Sequence, residues 1–256
     1  MADIWQLCNG AEQIRPVAGT LFRLIENQEQ VATLSYVDSL AEQSVLEELL
    51  ERSKPPCPNA LDSRHSLHYL FKTPFRYPPL PWGSRFGQRH QAGIFYGGGS
   101  VQTTLAEAAF YRFVFWRSIA APPVKPAIRS QHSLFSARYQ SERGVQLQLP
   151  PFDKFAHELT HPASYSASQH LGSAMRAAGI EAFEYTSARD VKHGHCIGLF
   201  SPTALADKQP LETLPFLCVL TANDVSFKSL RSSELYQFGF EDFVVAGEFP
   251  FPATTS

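Results

Sequence analysis

The amino-acid sequence predicts an α+β fold, and three observations carry that prediction. Helical and strand patterns both occur, in no regular βαβ alternation, and the strand patterns crowd into the second half of the chain. No segment repeats. Of 256 residues, 44% are hydrophobic and the net charge is only −2, a composition that folds around a sizeable core instead of staying disordered.

The elements follow in order. Gly19–Ile25 reads as a strand. A helix is expected from Asp38 or Ser39 to about Arg52, with Leu40, Val45, Leu46, Leu49 and Leu50 near helical spacing and Glu47, Glu48 and Glu51 opposite. The run Ser53-Lys54-Pro55-Pro56-Cys57-Pro58-Asn59 stops it and is the best candidate boundary. Residues 1–60 are therefore expected to be an N-terminal extension or subdomain, packed on the main domain at 61–256 because the leucine face needs cover.

From 68 to 100 the text is dense in Pro, Gly and aromatic residues. Pro74, Pro78, Pro79 and Pro81 fall within eight residues and argue against a helix. A long loop rich in arginine and aromatics inside a domain points to function. A short strand at Gly93–Tyr96, the turn Gly97-Gly98-Gly99-Ser100 and a helix from about Thr104 to Trp116 come next. Alternation then predicts strands at 133–139 and 145–149. A helix at 166–178 ends on Gly179, a residue suited to a left-handed cap. Further strands are expected at 180–185, 196–200, 214–220 and 226–230.

Several function classes are set aside by composition. Lys+Arg at 22 against Asp+Glu at 24 leaves no basic surplus for a phosphate backbone, so direct nucleic-acid binding is not expected. No apolar run approaches the roughly 20 residues of a membrane span, and Met1-Ala2-Asp3-Ile4-Trp5 lacks the start of a signal peptide. A cytoplasmic location is expected. Cys8, Cys57, Cys196 and Cys218 are scattered and read as small buried hydrophobes, with no disulfide framework or zinc ribbon.

Three constellations could carry chemistry. His157-Glu158-Leu159-Thr160-His161 spells H-E-x-x-H, which on a helix sets two imidazoles on one face for zinc, with Glu181 as a possible third ligand. Pro162 and Pro150-Pro151 leave that helix little length, and a short solvated helix explains the same letters, so no metal is assigned. Gly97-Gly98-Gly99-Ser100 lacks the lysine of a phosphate loop and reads first as a strand-to-helix turn. The third set is spread out: Arg85, Tyr96 and Glu107 at successive intervals of 11 residues, with Glu184-Tyr185-Thr186-Ser187-Ala188-Arg189 far downstream. Singly, each has a plain structural explanation, such as a Thr104/Glu107 capping box.

Together, Gly83-Ser84-Arg85-Phe86-Gly87, Ile94-Phe95-Tyr96, Thr104-Leu105-Ala106-Glu107 and Tyr185-Thr186-Ser187-Ala188-Arg189 resemble the motifs of the RES domain, a family named for its Arg, Glu and Ser. The resemblance spans about residues 68–202. Gly-Ser-Arg-Phe-Gly stands where the family usually reads Gly-Gly-Arg-Trp-Asn, and Thr186 where it has proline. The resemblance implies a fold similar to ADP-ribosyltransferases, with a split β-sheet core and flanking helices. It also implies a toxin that degrades NAD at the nicotinamide–ribose bond, by hydrolysis or phosphorolysis. NAD would be substrate, not resident cofactor. An Xre-type antitoxin is the implied partner, and a homo-oligomer is compatible.

The residue types suit that chemistry. Glu107 would stabilise an oxocarbenium-like ribose, and Tyr96 would hold the pyridinium. Arg85, seconded by Arg76, would clamp the pyrophosphate with a bidentate fork. Ser187 would donate to the substrate or position Glu107. Two alternatives stay open: an ADP-ribosyltransferase acting on a protein or small acceptor, and a zinc metallopeptidase built on His157–His161.

Overall fold

The computed structural model describes residues 3–27, 39–53, 67–77, 80–120 and 125–252. Eight strands form one sheet: β1 (Arg15–Glu26), β2 (Phe95–Gly98), β3 (Ile128–Gln146), β4 (Ala182–Thr186), β5 (His195–Leu199), β6 (Glu212–Leu220), β7 (Asp224–Ser229) and β8 (Leu235–Gly239). Among the described residues six α-helices accompany them: α1 (Ile4–Leu7), α2 (Leu40–Ser53), α3 (Tyr69–Arg76), α4 (Val101–Arg117), α5 (Ala156–Leu159) and α6 (Ser166–Ala177). The expected α+β class with flanking helices is what the chain adopts.

Strand order is β1-β2-β5-β4-β3-β6-β7-β8, with β1 also paired to β3. That extra pairing closes β1, β2, β5, β4 and β3 into a ring. The β6–β8 strands leave it as an antiparallel wing along the first half of β3, from Ile128↔Leu220 to Ser136↔Glu212. Only β3 and β4 run parallel, through Gly144, Val145 and Gln146. One bridge, Phe22↔Gly98, joins β1 to β2.

Three apolar clusters fill the fold. The first joins Leu21, Phe95, Phe135 and Ile197 of the ring to Phe71 and Phe75 of α3. The second packs Leu171 and Met175 of α6 against Phe86, Phe183 and Tyr185. The third sets Leu105, Phe110 and Phe113 of α4 on Phe216, Cys218 and Phe227 of the wing. Cys8, Cys196 and Cys218 are free and buried, as expected; Cys57 lies outside the described residues.

Several expectations need correction. Within the segment expected to be an N-terminal extension, β1 pairs with β3 from Arg15↔Gly144 to Glu26↔His132, so residues 15–26 are part of the sheet. The proposed boundary at 54–59 lies outside the described residues. Helix α2 begins where Ser39 predicted, its hydroxyl accepting from the Glu42 N–H at 3.2 Å, but Val45 and Leu49 stay exposed. Helix α3 forms inside the stretch read as loop. It tolerates Pro74 because Leu70, Phe71 and Phe75 bury one face of the helix, and that packing outweighs one missing hydrogen bond.

The two strands expected at 133–149 are one, β3, whose pairing with β1 absorbs a register shift between Arg15 and Val17. Helix α4 starts three residues early, capped by Ser100, whose Oγ accepts from the Thr103 N–H at 3.1 Å. Thr104 and Glu107 therefore form no capping box. β8 had no strand expectation. Gly179 does take the left-handed conformation, at φ 73°.

Candidate active site

A cavity of about 300 Å³ opens between β1, β2, α4 and the ends of β4 and β5. Its walls include Arg23, Ser84, Arg85, Tyr96, Glu107, Tyr111, Tyr185 and Cys196. Three of the residues singled out in the sequence, Arg85, Tyr96 and Glu107, thus share one pocket, and Ser187 touches it through Glu107. Arg76, in the last turn of α3, is half-buried and is not among the lining residues.

Local sequence explains how these side chains are presented. β2 runs close under the start of α4: a Cβ on Gly98 would lie 2.7 Å from the Thr104 backbone nitrogen. The helix start is tied down by the Thr103 hydroxyl, which donates to Asp190 Oδ2 at 2.8 Å. Gly194 permits that contact, because a Cβ there would sit 2.1 Å from Thr103 Oγ1. Glu107 follows Ser100 by about two helical turns, and this turns it to the cavity.

Glu107 Oε1 accepts from Ser187 Oγ at 2.6 Å, and the Cys196 thiol approaches the same oxygen at 3.9 Å. Ser187 is 1% exposed, and its Oγ accepts from the Arg189 and Asp190 N–H groups at 3.1 and 3.0 Å. Ser187 thus bonds directly to the Glu107 carboxylate.

Tyr96 is tied by its hydroxyl to both neighbours of Arg85. It shares a hydrogen bond with Ser84 Oγ at 3.0 Å and accepts from the Phe86 N–H at 3.0 Å. Arg85 itself is buried. Its Nη1 donates to the Leu159 and His161 carbonyls at 3.1 and 3.0 Å, and its guanidinium lies 4.6 Å from the centroid of the Tyr165 ring. With Nη1 committed, Nε and Nη2 form the edge left for a ligand.

Charge in the cavity is unbalanced. Arg23 and Arg85 line it against a single carboxylate, Glu107. Burial lowers the Arg23 guanidinium to about 10, still a cation at neutral pH. Burial raises Tyr96 to about 12 and pushes the Tyr185 hydroxyl and the Cys196 thiol well up, so all three stay neutral. The pocket can therefore receive an anion beside one fixed negative charge.

The H-E-x-x-H segment does not make a helical metal platform. Helix α5 has only four residues and ends before His161. The two imidazole centroids are 6.1 Å apart with rings at 89°, and His161 Nδ1 accepts from the Ala163 and Ser164 N–H groups at 3.2 and 2.9 Å. Glu181 is engaged elsewhere, accepting from the Ser141 and Thr203 hydroxyls. Among the described residues no three His, Cys, Asp or Glu side chains are grouped to hold a metal ion, and no helix is long and apolar enough to cross a membrane.

Sequence reasoning did not single out Arg23, Tyr111 or Cys196. Arg23 had a signal: it has the parity of Leu21 and Ile25, the buried face of its strand, where an arginine calls for an explanation. Tyr111 and Cys196 gave none beyond ordinary helix and strand patterning.

Comparison with known proteins adds three findings. The RES domain family model matches residues 60–218. No curated protein matches. Among solved structures the chain is similar to the M. tuberculosis MbcT-MbcA toxin-antitoxin complex, at 10% identity and a TM-score of 0.48, over 87% of this chain and 94% of that one.

Proposed function

The chain belongs to the RES domain family, and from that premise we propose that it cleaves the nicotinamide–ribose bond of NAD in the cavity lined by Glu107. One observation supports this reading above the others. Arg85, Tyr96 and Glu107 converge on one pocket, with Ser187 bonded to the carboxylate at 2.6 Å.

A pocket of about 300 Å³ is at the small end for ligand sites. It takes the nicotinamide and its ribose and leaves the adenylate half at the mouth. The C–N bond breaks with its electron pair going to the pyridinium nitrogen, so nicotinamide leaves neutral and needs no general acid. Positive charge develops on the ribose, and Glu107 stabilises it from a position fixed by Ser187. The Nε/Nη2 edge of Arg85 holds the pyrophosphate side-on, with Arg23 as a second cation. Tyr96 packs on the pyridinium and anchors the turn carrying Arg85. Water, releasing one proton to solvent, or phosphate then attacks the ribose carbon, giving ADP-ribose or its 1″-phosphate.

Such an enzyme depletes a central cofactor of the cell that makes it. We therefore assign it a toxin role, restrained by an antitoxin of the Xre-like DNA-binding kind that covers the pocket mouth around the Arg85 turn. The test is NAD consumption by purified protein, with and without phosphate, beside Glu107→Gln. That variant keeps the side chain's shape and removes its charge, so turnover should vanish while the melting temperature holds. A Glu107→Gln protein that still consumes NAD overturns the assignment. Adenylate label retained on a macromolecule instead would establish transfer in place of degradation.

A further inference from the structure

The segment Leu159–Tyr165 supplies the only protein hydrogen-bond acceptors of the Arg85 side chain among the described residues. The Leu159 and His161 carbonyls take its Nη1, and the Tyr165 ring lies under its guanidinium. The same segment holds a second buried arginine. Arg189 Nη2 donates to the Pro162 carbonyl at 2.6 Å and reaches the Tyr165 hydroxyl at 3.4 Å. Three carbonyls within four residues thus turn toward two cations. Backbone oxygens at such density need a fixed turn, and one side chain fixes it. His161 Nδ1 accepts from the Ala163 and Ser164 N–H groups, two and three residues on, in the manner of an Asx turn.

We propose that His161 is a positioning residue for Arg85: its Nδ1 closes the 161–164 turn, and that turn aims the arginine's free Nε/Nη2 edge at the ligand's phosphate. This assigns a role to the second histidine of the H-E-x-x-H letters that needs no metal. It rests on the reading of the cavity as an NAD site. The physical basis is that a bidentate fork works only at a set distance and plane, so a small drift of the carbonyl frame is felt in binding. Arg189, bonded to the same frame and through its N–H to Ser187, links the frame to the residue that holds Glu107.

The experiment is a double-mutant cycle on the full chain, read as NAD kinetics and as calorimetric binding of ADP-ribose, which carries the pyrophosphate without the scissile bond. His161→Ala should raise KM for NAD and weaken ADP-ribose binding by about tenfold, with kcat much less affected. His161→Asn should restore both, because its Oδ1 occupies the place of Nδ1 along the side chain. In an Arg85→Lys background the His161→Ala change should add almost nothing, because the fork it positions is gone. Should His161→Ala fail to fold, His161→Gln, whose acceptor lies one bond too far, takes its place in the cycle.

Wild-type affinity in His161→Ala, no recovery in His161→Asn, or an undiminished loss in the Arg85→Lys background would each overturn the proposal. A wild type that neither consumes NAD nor binds ADP-ribose would overturn the functional reading itself, which sets the two failures apart.

Discussion

The Ser187 hydroxyl serves three partners at once: it donates to Glu107 and accepts from two backbone N–H groups. Replacing it by alanine leaves those buried amides and one carboxylate oxygen without their bonds. Ser187→Ala should therefore lose roughly 1–3 kcal/mol of stability, and also lower kcat by about tenfold or more as Glu107 drifts. Denaturant unfolding and steady-state kinetics measure the two separately. A stability loss with unchanged kcat would make Ser187 a structural residue only. At this scale the sequence was partly legible. Arg85, Tyr96 and Glu107 could be singled out because their motifs are local. Their mutual contacts could not: that Tyr96 grips the neighbours of Arg85, or that Ser187 bonds to Glu107, depends on contacts made after folding.

Among the elements, the crossing of β2 under α4 decides where Glu107 stands. Gly98 is the tightest point of that crossing, because the atoms a Cβ would meet there include backbone at 2.7 and 3.1 Å, which cannot rotate away. Gly98→Ala should lift the helix start, cost about 2–4 kcal/mol, and remove activity even in protein that remains folded. A variant with wild-type melting temperature and turnover would show that strand and helix have slack. Element identity was readable in α2, α4, α6 and β4 to β7, where apolar runs of the right length stand between turn residues. It was not readable for α3, because proline content is a local rule and the burial of Phe71 and Phe75 is a tertiary fact. The place of β1 in the ring was hidden for a similar reason: its partner β3 lies more than a hundred residues away, and pairing at that distance leaves no mark on local text.

For the molecule as a whole, β3 is the shared spine of ring and wing, and it carries a buried histidine. The His132 Nε2 accepts from Arg112 Nη2 at 2.7 Å, while Arg112 also meets Glu26 at 2.7 Å. Burial first, and the Arg112 charge second, push this imidazole down to about 4 from 6.5. A folded-state value below the unfolded one means the unfolded chain binds the proton more readily. Stability is therefore fully present above pH 6.5 and is lost as pH falls toward 4, by up to about 3 kcal/mol. Unfolding free energies at pH 7 and 4.5 should fall more for wild type than for His132→Gln; equal falls would remove His132 as the cause. The closed ring has a further consequence, in time. Its first strand brings Arg23 to the cavity and β5 brings Cys196, so the earliest wall of the pocket has to wait for nearly the latest. At ordinary rates of synthesis that wait is roughly ten to thirty-five seconds. Until β5 has left the ribosome the cavity lacks its Cys196 wall, and a nascent chain abandoned before that point carries an incomplete pocket.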